Sequence, residues 1–167
     1  AINLCASDIE TGRVLDVLER ALAGTGIEAQ QIWLEATERG FINVEAARAT
    51  IEKARARGHA VAIDDFGTGY SSLSSLQNLP LDALKIDKSF VDTIGTDAAT
   101  SSVTPHIIAM ARTLNMLIVA EGIETQQQAD YLLERKVEFG QGWLFAKALP
   151  AAEFLTFYRA RRAPSST

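Results

Sequence analysis

The sequence predicts an α/β fold of the TIM-type (β/α) barrel kind, incomplete, with about six of the eight βα units present. Short apolar runs alternate with longer amphipathic segments along the whole chain, and each run ends at or near a metal-compatible or phosphate-compatible side chain. The composition, 47% apolar and 22% charged over 167 residues, suits one domain with a substantial core. Strands separated by helices pair in parallel through right-handed crossovers, which leaves a doubly wound sheet or a closed barrel. A doubly wound sheet gathers ligands at one switch point, whereas a barrel collects them from strand ends around a ring. Here every unit contributes: Asn3, Glu35 with Glu38, Asp64 with Asp65, Lys85 with Asp87, Glu121 with Glu124, and Gln141. The barrel is therefore the expectation. Because such barrels take eight strands and typically about 250 residues, the chain is expected to be a fragment, or to have its open edges covered by a partner subunit.

The strand candidates are residues 2–5, 31–37, 60–64, 83–86, 117–121 and 137–141. Helices are expected over about 8–23, 43–57, a brief 71–78, 105–114, 125–136 and 151–162. Ser7 with Glu10 and Thr125 with Gln128 have capping-box spacing, Gly24 and Gly58 suit left-handed C-caps, and Pro105 suits a first helical position. Residues 161–167 read as a frayed tail following a domain over 1–160.

Charge and cysteine content narrow the function. A net charge of −5 argues against a nucleic-acid polymer or an anionic membrane as partner, since both select clustered Lys and Arg. No apolar stretch is long enough to span a bilayer, and the lone Cys5 makes no internal disulfide, so a cytoplasmic setting is expected. His59 and His106 fall outside any ligand-like cluster, and no zinc spacing occurs.

The decapeptide Asp64-Asp65-Phe66-Gly67-Thr68-Gly69-Tyr70-Ser71-Ser72-Leu73 follows the apolar run Ala60-Val61-Ala62-Ile63 directly. Two adjacent carboxylates thus stand where a buried strand emerges into a loop. Their repulsion calls for a compensating cation, and a divalent metal is the simplest one. A helix-capping turn is the plain alternative for the decapeptide alone. Likewise, Glu121 and Glu124 could decorate a helix N-terminus, and Lys85 with Asp87 could be an exposed ion pair.

Taken together, Asn3-Leu4, Glu35-Ala36-Thr37-Glu38, the decapeptide, Lys85-Ile86-Asp87, Glu121-Gly122-Ile123-Glu124-Thr125 and Gln141-Gly142 resemble the EAL family of bacterial phosphodiesterases that hydrolyse cyclic di-GMP. The similarity runs from residue 2 to about 155, in the family's order and spacing. It implies that Asn3, Glu35, Asp64 and Glu121 help bind a divalent metal, with Asp64 and Asp65 reaching a second. It also implies that Lys85 faces the attacking water or the phosphate, that Glu121 is the general base, that Gln141 lines the pocket, and that Glu38 holds the loop starting at Asp65. Oxygen-rich ligation of this kind suits two Mg²⁺ or Mn²⁺ ions. The implied ligand is cyclic di-GMP, opened to linear pGpG, and a homodimer is a further implied partner.

The chain departs from the family pattern in several places. The Glu-Ala-Leu tripeptide that names the family, with its metal-binding Glu, is expected to lie upstream of residue 1, within the first two βα units, so turnover by these residues alone is expected to be impaired. Cys5, Pro105 and Ala148 differ from the usual family residues and touch no proposed ligand. Two other functions fit some of the same residues. A non-catalytic cyclic di-GMP receptor or regulatory dimerisation module needs neither a base nor two metal sites, and an enolase-type site explains the metal but not Asp-Phe-Gly-Thr-Gly.

Overall fold

The computed structural model describes residues 1–67 and 76–162. Its six strands are all parallel, and each is hydrogen-bonded to the next in sequence: β1 (Ile2–Leu4), β2 (Leu34–Thr37), β3 (Val61–Phe66), β4 (Ala83–Ile86), β5 (Leu117–Ala120) and β6 (Phe139–Gly140). The helices among the described residues are α1 (Ala6–Thr11), α2 (Arg13–Leu22), α3 (Val44–Ala56), α4 (Lys88–Val91), α5 (Val103–Thr113), α6 (Gln126–Glu134) and α7 (Ala151–Arg162). The sheet is not closed, with β1 and β6 as its edges.

Register divides the sheet into two faces. Paired residues on parallel neighbours share a face, and residues two apart on one strand do too. The pairs Asn3 with Glu35, Thr37 with Asp64, Ala62 with Ala83, Lys85 with Val119, and Val119 with Phe139 trace one face around the whole sheet. The opposite face carries Leu4, Leu34, Ala36, Val61, Ile63, Leu84, Ile86, Ile118 and Ala120, all buried in the main core with Leu15, Ile51 and Ile107 from the helices. Burying such side chains is the main stabilising term, about 1.5–3 kcal/mol for each large one.

The polar-bearing face is concave. Strands β2 and β6 are four positions apart, about 19 Å in a flat sheet at the usual strand spacing. Yet the rings of Trp33, just before β2, and Phe139 on β6 meet edge to face with centroids 5.8 Å apart. Only a sheet curled towards a barrel brings them together.

The strands fall where the apolar runs predict, within one or two residues at most ends. The helices differ more. The expected helix over 8–23 is two helices, because Gly12 adopts φ +64 and breaks the run. A Cβ there would be strained and would also lie 3.1 Å from Thr50 Oγ1. The first helix is not capped at Ser7 with Glu10: Cys5 is the N-cap, and its backbone N–H donates to Asp8 at 2.9 Å. The chain leaves β1 so soon that the helix starts two residues before the expected box. Pro105 is the third residue of α5 rather than its first, still within the turn whose N–H groups lack intrahelical acceptors. Thr125 with Gln128 does form the capping box, Asn43 caps α3, and Gly24 and Gly58 take positive φ after their helices. The expected helix over 71–78 lies mostly outside the described residues, with Leu76 and Gln77 helical. Residues 161 and 162 belong to α7, not to a frayed tail.

Candidate active site

The site lies where the concave face meets the C-terminal ends of the strands. Its centre is Lys85, the third residue of β4, only 5% exposed. Its Nζ donates to Glu35 Oε2 at 2.9 Å and to Asp64 Oδ1 at 2.8 Å, and lies 2.6 Å from Glu121 Oε1. Those three acids come from β2, from β3 and from the residue after β5, so the contacts tie the strand ends together. Gln141, just past β6, donates through Nε2 to the same Glu121 oxygen at 2.8 Å. The plain readings of Lys85 as an exposed ion pair and of Glu121 as a helix-end decoration are thereby overturned: both are partners in one buried cluster.

Adjacent residues of a strand face opposite sides, so Asp64 and Asp65 need a device to share a site. That device is a β-bulge. Between β3 and β4 the register runs from Ile63 with Leu84 to Phe66 with Ile86, one residue too many on β3. Asp65 takes up the excess in the left-handed region, at φ 52. As a result, carboxylate oxygens of Asp64, Asp65 and Glu121 lie within 4.8 Å of one another. Bulge strain of this sort is tolerated where the surroundings fix it. Glu38 contributes to that: buried against the site, it accepts from Gly67 N–H at 2.7 Å, just beyond the bulge. Gly67 itself has φ 95, and a Cβ there would lie 2.8 Å from the Phe90 ring.

The register places Asn3 beside Glu35 on the same face, with Asn3 exposed at the edge strand. Asp87 and Glu124 are not in the cluster. Asp87 caps α4 by accepting from Ser89 N–H at 3.0 Å, and Glu124 pairs with Lys88 at 2.9 Å. The Thr68–Leu73 part of the decapeptide lies outside the described residues.

Electrostatics follow from this packing. Burial pushes the Glu121 carboxyl above its ordinary range; Lys85 pulls it down, while Asp64 and Glu35 push it further up. Burial likewise raises Asp65, with Asp64 and Asp87 adding repulsion. For Lys85, burial opposes the charge, but its interactions with the carboxylates of Asp64, Glu121 and Glu35 outweigh that and hold the ammonium well above its usual pKa. Next to Glu121 and Gln141 opens a cavity of about 670 Å³, walled by Trp143, Lys147, Leu149 and Phe157.

The order of these residues along six parallel strands, together with the bulged Asp64-Asp65 pair, has a counterpart among known proteins. The sequence matches the EAL domain family over residues 1–148. The chain belongs to the EAL domain family. Its relative PdeB of Escherichia coli (strain K12), a probable cyclic di-GMP phosphodiesterase, is 46% identical over 155 residues, which cover 93% of this chain and 29% of PdeB. The solved structure of the PaMucR phosphodiesterase in its c-di-GMP complex is 36% identical with a TM-score of 0.83, covering 91% of this chain and 62% of that one. The Klebsiella pneumoniae BlrP1 manganese/cy-diGMP complex is 29% identical with a TM-score of 0.77, covering 87% of this chain and 38% of its own. This EAL chain thus spans about three tenths of the PdeB length. Its six-stranded parallel sheet is an unclosed α/β arrangement of the TIM-like barrel kind seen in EAL domains. No helix among the described residues is long and apolar enough to cross a membrane.

The sequence missed what lies away from the motifs. Trp33 and Phe139 meeting at the other end of the concave face, and helix α4 capped by Asp87, carry no signature beyond ordinary apolar and capping residues.

Proposed function

We propose that the protein is a divalent-metal-dependent phosphodiesterase that opens cyclic di-GMP to linear pGpG. The observation that carries this reading is the convergence of Asp64, Asp65, Glu121 and Lys85 at the mouth of the curled sheet. Relatives named or solved as cyclic di-GMP phosphodiesterases support the substrate. The donor set fits the metal: every candidate ligand, Asn3, Glu35, Asp64, Asp65 and Glu121, offers oxygen, which suits Mg²⁺ or Mn²⁺ over softer ions. A manganese complex in the family agrees with that choice. Two ions would be held by these residues, Asp64 and Asp65 among the ligands of the second. When bound, they supply Lewis acidity that lowers the pKa of water and offsets charge on the scissile phosphate.

The chain's own residues account for the rest of the reaction. Glu121 accepts the proton of the attacking water. Gln141 fixes the Glu121 oxygen that it bonds. The water oxygen bonds to phosphorus, the bond from phosphorus to the 3′ oxygen breaks, and a proton ends on the departing 3′ hydroxyl. Lys85 donates to the non-bridging oxygens, where negative charge grows. Glu38 positions Asp65 by holding Gly67, and Gln141 also lines the ligand cavity.

We further propose a cytoplasmic setting and self-association through the open side of the sheet, where Leu133, Phe139, Phe145 and Phe154 are exposed. The test of function is incubation with cyclic di-GMP and Mn²⁺, followed by chromatography for pGpG. Product that disappears in Asp64→Ala and Glu121→Ala supports the reading, and turnover surviving either change overturns the site. Metal-independent ligand binding without turnover would instead indicate a receptor.

A further inference from the structure

We infer that Lys85 is a built-in counter-cation of the site, and that its ammonium and an incoming divalent ion compete for the oxygens of Glu35, Asp64 and Glu121. The inference rests on the metal-site reading above and adds a constraint on how the site is loaded. An ammonium has three donors, and Lys85 faces three acceptors from three different strand ends at 2.9, 2.8 and 2.6 Å. Its charge is met by two hydrogen-bonded carboxylates and a third within ion-pair distance. Oxygens ligating Mg²⁺ stand about 2.1 Å from the ion, so an oxygen serving both cations would bring two positive centres into close repulsion.

The position of Glu35 points the same way. The group whose ligand atoms lie within 4.8 Å of one another is Asp64, Asp65 and Glu121. Glu35 lies outside that group, its Oε2 engaged by Lys85. For Glu35 to join a metal through the oxygen that Lys85 holds, Lys85 must release that oxygen. The freed ammonium then has the phosphate as its nearest anionic partner at the same mouth. Metal loading and the phosphate-facing role of Lys85 are therefore two ends of one exchange, in which the lysine moves from carboxylates to substrate.

A lysine that only glues the fold makes a different prediction from one that competes. Mn²⁺ affinity by calorimetry and melting temperature in EDTA and in Mn²⁺ separate them, using Lys85→Gln and Lys85→Arg. Competition predicts that Lys85→Gln binds Mn²⁺ about tenfold more tightly than wild type, within the usual 5 to 150-fold span of coupled sites. Its melting temperature should fall in EDTA and recover in Mn²⁺, while Lys85→Arg keeps wild-type affinity. Equal or weaker binding by Lys85→Gln overturns the inference. Should Lys85→Gln not fold, nitrogen-detected NMR of wild-type lysine ammonium groups decides. One slowly exchanging signal in EDTA should move or vanish on adding Mg²⁺, and an unmoved signal overturns the inference. If wild type binds neither ion, the metal reading falls and takes this inference with it; if it binds with the signal and the variant affinity unchanged, only the inference falls.

Discussion

The two ends of the strands use the same kind of side chain for opposite purposes. At the N-terminal end, Asp82 accepts from Val61 N–H at 2.9 Å and Glu138 accepts from Ile118 N–H at 2.9 Å, so each carboxylate satisfies a main-chain donor where β3 and β5 begin. Asp82 also meets Arg55 at the surface. The rings of Trp33 and Phe139 meet across the concave face at that end, with Phe139 half exposed. At the C-terminal end, Asp64 and Glu38 also accept the N–H groups of Asp65 and Gly67, but there the carboxylates crowd around Lys85 and one another as well. A carboxylate that accepts a backbone N–H is stable on its own terms, whereas one crowded by its like stores electrostatic tension that a cation can use. The first end holds the fold, and the second is where chemistry belongs in folds of this kind.

Breaking the C-terminal end should have the largest effect, and on activity rather than folding. Removing a general base or a metal carboxylate by Glu121→Ala or Asp64→Ala is expected to lower pGpG formation about 10³-fold, roughly 4 kcal/mol of barrier, with far-ultraviolet circular dichroism unchanged. Breaking the helix-covered face of the same strands should act the other way round. Leu34→Ala, at a side chain with no exposure, is expected to cost about 3 kcal/mol of stability in urea unfolding, and that side chain lies on the face of the sheet opposite the site.

The contrast sharpens with the aromatic pair. Trp33→Ala removes the edge-to-face contact, worth about 1 kcal/mol beyond burial, and should leave the KM for cyclic di-GMP within twofold; a large KM change would show that the two ends of the concavity communicate. The smallest effect is expected far from both ends. Arg57 hydrogen-bonds Asp16 and holds its carboxyl below the ordinary range, on an exposed surface. A lowered folded-state pKa means stability that is present above the unfolded pKa and lost as pH falls through the folded one. Asp16→Asn should therefore be slightly less stable than wild type at neutral pH, and the gap should close in thermal melts as the solution becomes strongly acidic.

Much of this was legible along the chain. Each strand run, from Ile2 to the Phe139 region, shows as an apolar stretch because both faces of a parallel sheet are covered, and Thr125 with Gln128 announces α6 through its own hydrogen bonds. Gly12 as a helix break was not legible, since a glycine near a helical turn is equally compatible with a continuous helix. Cys5, which differs from the usual family residue, is the N-cap of α1 and touches no proposed ligand. Asp87, grouped with Lys85 by sequence, belongs to a helix cap.

The sequence by itself determined the alternation of strands and helices, the parallel pairing that alternation forces, and the set of oxygen donors and one lysine at strand ends, because these depend on periodicity and on residue chemistry. Only the tertiary structure decided that Asp64 and Asp65 face one place, since that turns on a single extra residue in the β3 register and a positive φ at Asp65. It alone decided that Lys85 meets acids 50, 21 and 36 positions away in sequence, because curvature of the sheet, which no local pattern encodes, sets which strand ends meet.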